Sequence, residues 1–158
     1  MPEKDYIIFG ETFSYKGLFD MAEFYKVLKK WFFDNQYIFG ERQYRDLIEG
    51  LNVKWVAYKK MNDYVKKYVE IDIITKDLQK VKLKTKSMNK GQVSLEFKSY
   101  LEKDYEESWV GAITRFIRAI YDVFIKSPEI EQFEKELKED TYAVITLAKS
   151  YLKVQPTK

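Results

Sequence analysis

From Leu51 to Leu101 the large apolar side chains keep to odd-numbered positions. LNVKWVAYKK (51–60) places Leu51, Val53, Trp55 and Ala57 on one side. YVKKYVEIDIITK (64–76) groups Val65, Val69, Ile71 and Ile73, and QVSLEFKSYLE (92–102) groups Val93, Leu95, Phe97 and Leu101. Successive β-strand side chains point to opposite faces, so a period of two held this long predicts antiparallel strands with one buried face. The constraint is severe, because a one-residue slip in any pairing would move a whole strand's apolar set into water.

Three loops satisfy the parity. Met61-Asn62-Asp63 would set Trp55 against Val69, and Lys54 against Glu70 on the outer side. Asp77-Leu78-Gln79 would set Ile73 against Leu83, Lys84 against Asp72 and Lys86 against Glu70. Ser87 to Gly91 would set Leu83 against Leu95 and Lys82 against Glu96. On this reading the row KVKLKTK (80–86) is a strand of its own, a solvated face matched to carboxylates.

Helical periods flank the meander. DYIIFGETFSY (5–15) reads as a strand with Ile7, Phe9, Phe13 and Tyr15 on one face. Asp20 then caps a helix, with Glu23 completing a capping-box-like pair and Met21, Phe24, Tyr25, Leu28, Trp31 and Phe32 forming its apolar stripe. GERQYRDLIE (40–49) is a weak strand that ends in a Glu49-Gly50 turn. Trp109, Ala112, Ile113, Phe116, Ile117, Ile120 and Phe124 line one side of a long helix. Ser127 and Pro128 start another, with Ile130, Phe133, Leu137, Thr141, Val144, Ala148 and Tyr151 in its stripe and a possible break at Asp140-Thr141. The expected architecture is α+β: an antiparallel β-meander of about five or six strands, one face covered by an N-terminal helix and long C-terminal helices. Residues 1–154 form a single domain and 155–158 a frayed tail.

With no cysteine and no histidine, the chain has no thiolate or imidazole for metal binding or catalysis. It carries no GxSxG, P-loop or GxGxxG motif. No catalytic, cofactor-binding or metal site is assigned, although carboxylates distant in sequence could still meet in a cleft. In EKDYEES (102–108), Glu102, Asp104, Glu106 and Glu107 lack the spacing of a calcium loop, and acids there suit a helix start. No signal-like N-terminal stretch or membrane span is read, and the cytoplasm is the expected location.

Charge is uneven. The net is −2 over residues 1–50, +6 over 51–104 and −1 over 105–158. If even positions face solvent, one sheet face presents Tyr58, Tyr64, Tyr68 and Tyr100 among Lys60, Lys66, Lys82, Lys84 and Lys98. That is a possible interaction face, and a possible platform for single-stranded nucleic acid. Glu70, Asp72, Glu96 and Glu102 on the same face oppose a phosphate backbone, so nucleic acid is not the favoured partner. In Trp31-Phe32-Phe33, one helix face cannot hold three rings, and Phe33 is the expected exposed aromatic.

YKGLFDMAEFYKVLKKWFFDNQY (15–37), VKWVAYKKMNDYVKKYVEIDI (53–73) and NKGQVSLEFKSYLEKDYE (89–106) resemble a set of small archaeal proteins of unknown function. That resemblance implies no activity, cofactor or site residue. The order of elements also resembles a helix-grip (START-like) arrangement at the level of fold alone. The resulting expectation is a non-enzymatic binding or protein-interaction module whose partner is another protein or a second copy. The alternatives are a carrier holding a small apolar ligand between the sheet and the C-terminal helix, and a weak single-strand binder.

Overall fold

The computed structural model describes residues 3–47, 50–62, 64–83, 86–103 and 127–153. The predicted helix over 109–125, most of the acidic run at 102–108 and the tail at 155–158 lie outside the described residues. Five strands form one antiparallel sheet: β1 (Glu3–Phe19), β2 (Ile38–Leu47), β3 (Gly50–Lys60), β4 (Val65–Leu83) and β5 (Lys86–Lys103). The spatial order is β1-β5-β4-β3-β2, so β1 and β2 are the edges. Two helices are described, α1 (Met21–Asp34) between β1 and β2, and α2 (Ser127–Lys153) after β5.

Both helices pack on the odd-numbered face. Val53, Trp55, Val69, Ile71, Ile73, Leu95 and Phe97 join Phe24, Leu28 and Phe32 of α1 and Leu137, Val144 and Leu152 of α2 in one buried cluster. Each such side chain contributes roughly 1.5–3 kcal/mol on burial. The Asp20 Oδ1 atom accepts from the Glu23 backbone N–H at 3.1 Å, as a cap should. The Glu23 carboxylate accepts from Tyr151 Oη of α2 at 3.1 Å, which ties the two helices together. The helix α1 stops at Asn35, and Gln36 turns the chain through a left-handed φ of 67°. No break occurs at Asp140-Thr141: the buried Thr141 hydroxyl donates to the Leu137 carbonyl at 2.7 Å, so α2 runs on uninterrupted.

Odd positions face the helices in β3, in β5 and in β4 as far as Lys76, but two of the expected loops do not form. The β3–β4 register pairs Trp55 with Ile71, not Val69, a slip of two residues that leaves every face unchanged. At 77–79 there is no reversal at all. The strand β4 continues through a bulge, with Asp77 at φ 53°, and Ile73 pairs with Leu95. Gly91 makes this possible, because a Cβ there would lie 2.9 Å from the Asp77 and Lys76 carbonyl oxygens. KVKLKTK is therefore not an independent strand: Lys80 to Leu83 are the distal end of β4 and Lys86 opens β5.

The extra bulge residue also reverses the phase. Beyond it, Val81 pairs with Met88 on the even face, while Lys80 and Lys82 pair with Asn89 and Ser87 on the helix-bearing side. No carboxylate stands opposite either lysine, contrary to the expected charge matching. Two register shifts between Tyr6 and Glu11 similarly break the expected β1 face. Phe13 and Tyr15 pack on the core, Ile8 is buried, and Phe9 turns out to solvent.

The close approach of β3 to β4 at Gly50 gives a direct check. A Cβ at Gly50 would sit 2.3 Å from the Thr75 carbonyl oxygen, whereas one at Gly40 meets nothing within 4 Å. Gly50→Ala is expected to cost about 1–3 kcal/mol in urea unfolding, and Gly40→Ala less than about 0.5 kcal/mol.

Candidate functional site

The even-numbered face carries one row of rings in strict register. Tyr6 pairs with Tyr100, Tyr100 with Tyr68, Tyr68 with Tyr58, and Tyr58 with Ile38, one residue from each of the five strands. The band crosses the sheet perpendicular to the strands and spans roughly 19 Å at the usual strand spacing. Neighbouring rings stack: Tyr68 and Tyr100 lie 5.0 Å apart at 9°, and Tyr58 and Tyr68 lie 5.7 Å apart at 27°. Phe9 extends the row at 5.7 Å from Tyr6. Its ends are the open parts, with Phe9 76% and Ile38 61% exposed. Beside Ile38, Phe33 is 78% exposed, as expected, and borders an open depression shared with Tyr37 and Phe39.

Charges frame the band with a repeated pattern. Lys66-Lys67-Tyr68-Val69-Glu70 and Lys98-Ser99-Tyr100-Leu101-Glu102 both read Lys-x-Tyr-x-Glu. Because β4 and β5 are antiparallel, Lys66 stands opposite Glu102 and Glu70 opposite Lys98, a square of alternating sign around the two central rings. Lys4 and Lys66 each lie 4.9 Å from a ring centre, over Tyr100 and Tyr58. The Tyr100 hydroxyl donates to Glu70 Oε2 at 2.8 Å. Burial, then that bond, pushes the Tyr100 phenol well above its ordinary range, and burial raises Tyr68 as well. Lys54 bridges Glu70 at 3.7 Å and Asp72 at 3.9 Å, and Lys98 contacts Glu96 at 3.6 Å. Burial nevertheless raises the Asp72 carboxyl against the pull of Lys54 and Lys98.

Of the residues expected on an interaction face, Tyr58, Lys60, Lys66, Tyr68, Lys98 and Tyr100 are brought together in these rows. Tyr64 is not among them: the β3–β4 turn folds its ring into the core, where it is 5% exposed. Lys82 is exposed but lies fourteen residues along β4 from Tyr68, roughly 45 Å at the rise of an extended strand. Lys84 falls outside the described residues. The stacked arrangement also removes the expected platform for bases. Tyr68 has a tyrosine against each face, so a base would have to displace one of them to stack there.

Among the described residues, the space between the sheet and the helices is packed, with Phe24, Leu28, Phe32, Phe97, Leu95 and Leu137 at most 1% exposed. Among the described residues no group of three or more carboxylates is placed to hold a metal ion.

One buried cation went unrecognised in the sequence reading. Lys67 is 2% exposed beneath α2, with Nζ 3.0 Å from Glu136 Oε2 and 4.0 Å from Asp140 Oδ2. The Tyr37 hydroxyl donates to the same Asp140 oxygen at 2.8 Å, which links β4, α2 and the turn after α1. The odd number of Lys67, between Val65 and Val69, was the available signal. Comparison of the chain with family models and with curated proteins gives no match.

Hydrogen bonds from Lys67 and Gln132 hold the Glu136 carboxyl below the usual range. A depressed folded value stabilises the native state above the ordinary pKa of 4.5 and loses that contribution as pH falls through the folded value. Lys67→Met is expected to cost about 1 kcal/mol at neutral pH, because the orphaned carboxylates reach water. Urea melts from about pH 6 down to about pH 3 should show wild-type stability falling more steeply than that of the variant.

Proposed function

We propose that the chain is a protein-interaction module that docks through the aromatic band of its even face, and that the partner is a second copy of the chain. The observation that carries this reading is the alternating square of Lys66, Glu70, Lys98 and Glu102 around Tyr68 and Tyr100. Consider two sheets face to face, related by a two-fold axis along the band. Each strand then meets its own counterpart reversed, so Lys66 faces the partner's Glu70, and Glu102 faces the partner's Lys98. Every charge in the square meets its opposite, which an isologous contact requires. Tyrosine, with large area and few rotatable bonds, is favoured at the centre of such contacts.

The pattern supplies its own test. Lys66→Glu with Lys98→Glu makes an all-acidic square, and Glu70→Lys with Glu102→Lys an all-basic one. Each variant carries like-charged neighbours within its own sheet at a cost of roughly 0.2–1 kcal/mol per pair. In sedimentation velocity the wild type should show concentration-dependent dimers, and each variant alone should remain monomeric. An equimolar mixture of the two should recover the dimer. A wild type that stays monomeric up to concentrations on the order of 100 μM, or a mixture that does not associate, would overturn the reading.

A further inference from the structure

The far end of the sheet is chemically unlike the band. Around the β4 bulge, Lys16, Lys76, Lys80, Lys82 and Lys90 are all exposed. They make no ion pair, hydrogen bond or ring contact among the described residues. Asp77 is the one carboxylate within the bulge. Asp20 and Glu23 at the start of α1 are nearby on the helix side, and both are engaged, Asp20 by the Glu23 backbone and Glu23 by Tyr151. By contrast, the lysines of the band are framed by Glu70, Asp72, Glu96 and Glu102, and Lys135 and Lys138 of α2 lie in a stretch dense in glutamate. The overall charge of +3 therefore conceals a neutral face and a strongly basic end.

The bulge distributes these cations over both sides of the ribbon. Lys16, Lys76 and Lys90 share the even face, and the reversed phase beyond Asp77 sends Lys80 and Lys82 to the other. We infer that this end of the β4–β5 hairpin binds the phosphate backbone of duplex nucleic acid, independently of sequence. A bilayer is planar and meets cations on one side of a ribbon at a time, whereas the phosphates flanking a groove can meet both. Residues 76–92 contain no Phe, Tyr or Trp, and among the described side chains none of the exposed large apolar ones lies within them. The segment therefore has no ring on which an unpaired base could stack, and its described side chains offer no wedge for lipid. What it offers is an array of point charges, the chemistry of phosphate contact and of salt-dependent binding.

The experiment is fluorescence anisotropy of labelled 20-base-pair DNA duplexes of two unrelated sequences, titrated with the full chain from low to moderate salt. Both duplexes should bind equally, with log affinity falling linearly in log salt by about 0.9 for each phosphate met. Lys80→Gln/Lys82→Gln/Lys90→Gln should flatten that slope by about 2.7 and weaken binding at low salt by at least about tenfold. Lys26→Gln/Lys135→Gln/Lys138→Gln, with the same net charge but exposed on the helices, should leave slope and affinity within about twofold. No binding at the lowest salt would overturn the inference. So would equal losses in the two triple variants, or single strands or phosphatidylserine vesicles competing as well as the duplex.

Discussion

Contact between one face of a twisted sheet and two helical stripes holds this molecule together. A strand offers only two faces, and here one is committed wholly to Phe24, Leu28 and Phe32 of α1 and to Leu137, Val144 and Leu152 of α2. That commitment leaves little freedom in pairing. The β3–β4 register can move by two residues but not by one. A single Lys67 placed on the buried side must find Glu136 and Asp140 on the helix above it. The other face, which neither α1 nor α2 covers, carries the tyrosine row and its charges.

Interior polar groups are resolved in two different ways. Lys67 reaches partners that are themselves partly in water, so the pair is not sealed in a dry interior. Trp55 Nε1 and Ser99 Oγ, by contrast, are buried without a hydrogen-bond partner among the described residues. Trp55 compensates by volume, packing against Phe24, Tyr25 and Phe39. Ser99 stands beside the irregular stretch of β1, pairing with Ile8 between two register shifts, where a small side chain suits the close approach of a kinked neighbour.

The period of two made the sheet and its buried face legible, and the period of 3.6 with Asp20 made α1 legible. The topology was harder for a physical reason. Asp77-Leu78-Gln79 has the polarity of a turn, and only Gly91, distant in sequence and opposite in space, converts it into a bulge. Local chemistry cannot reveal what the facing strand permits. The same holds for Phe9, whose exposure follows from two irregularities in pairing with β5 rather than from its own neighbours. The central tyrosines were legible as a group, yet their stacking was not, because it depends on which rungs align. Tyr64 shows the converse: its even number implied solvent, but it belongs to the turn, where alternation no longer applies. Lys67 was available to the parity argument and stood against composition, which places lysine at surfaces.

The bulge at Asp77 acts as a phase shifter set between two regions of different character. Proximal to it the sheet runs in one phase, with balanced charge and stacked rings; distal to it the alternation is inverted. Losing one residue there would remove the bulge and leave each distal rung as it is, with Lys80 opposite Asn89, Val81 opposite Met88 and Lys82 opposite Ser87. Ironing the bulge out at unchanged length would instead slide β4 by one residue. Val81 would then turn toward the helix-bearing side, and Lys80 and Lys82 would join Lys90 on the opposite surface. An array that surrounds the ribbon would become one that coats a single plane. The backbone path at one position, with no change in any charge, thus sets which shapes of polyanion this end of the molecule could grip.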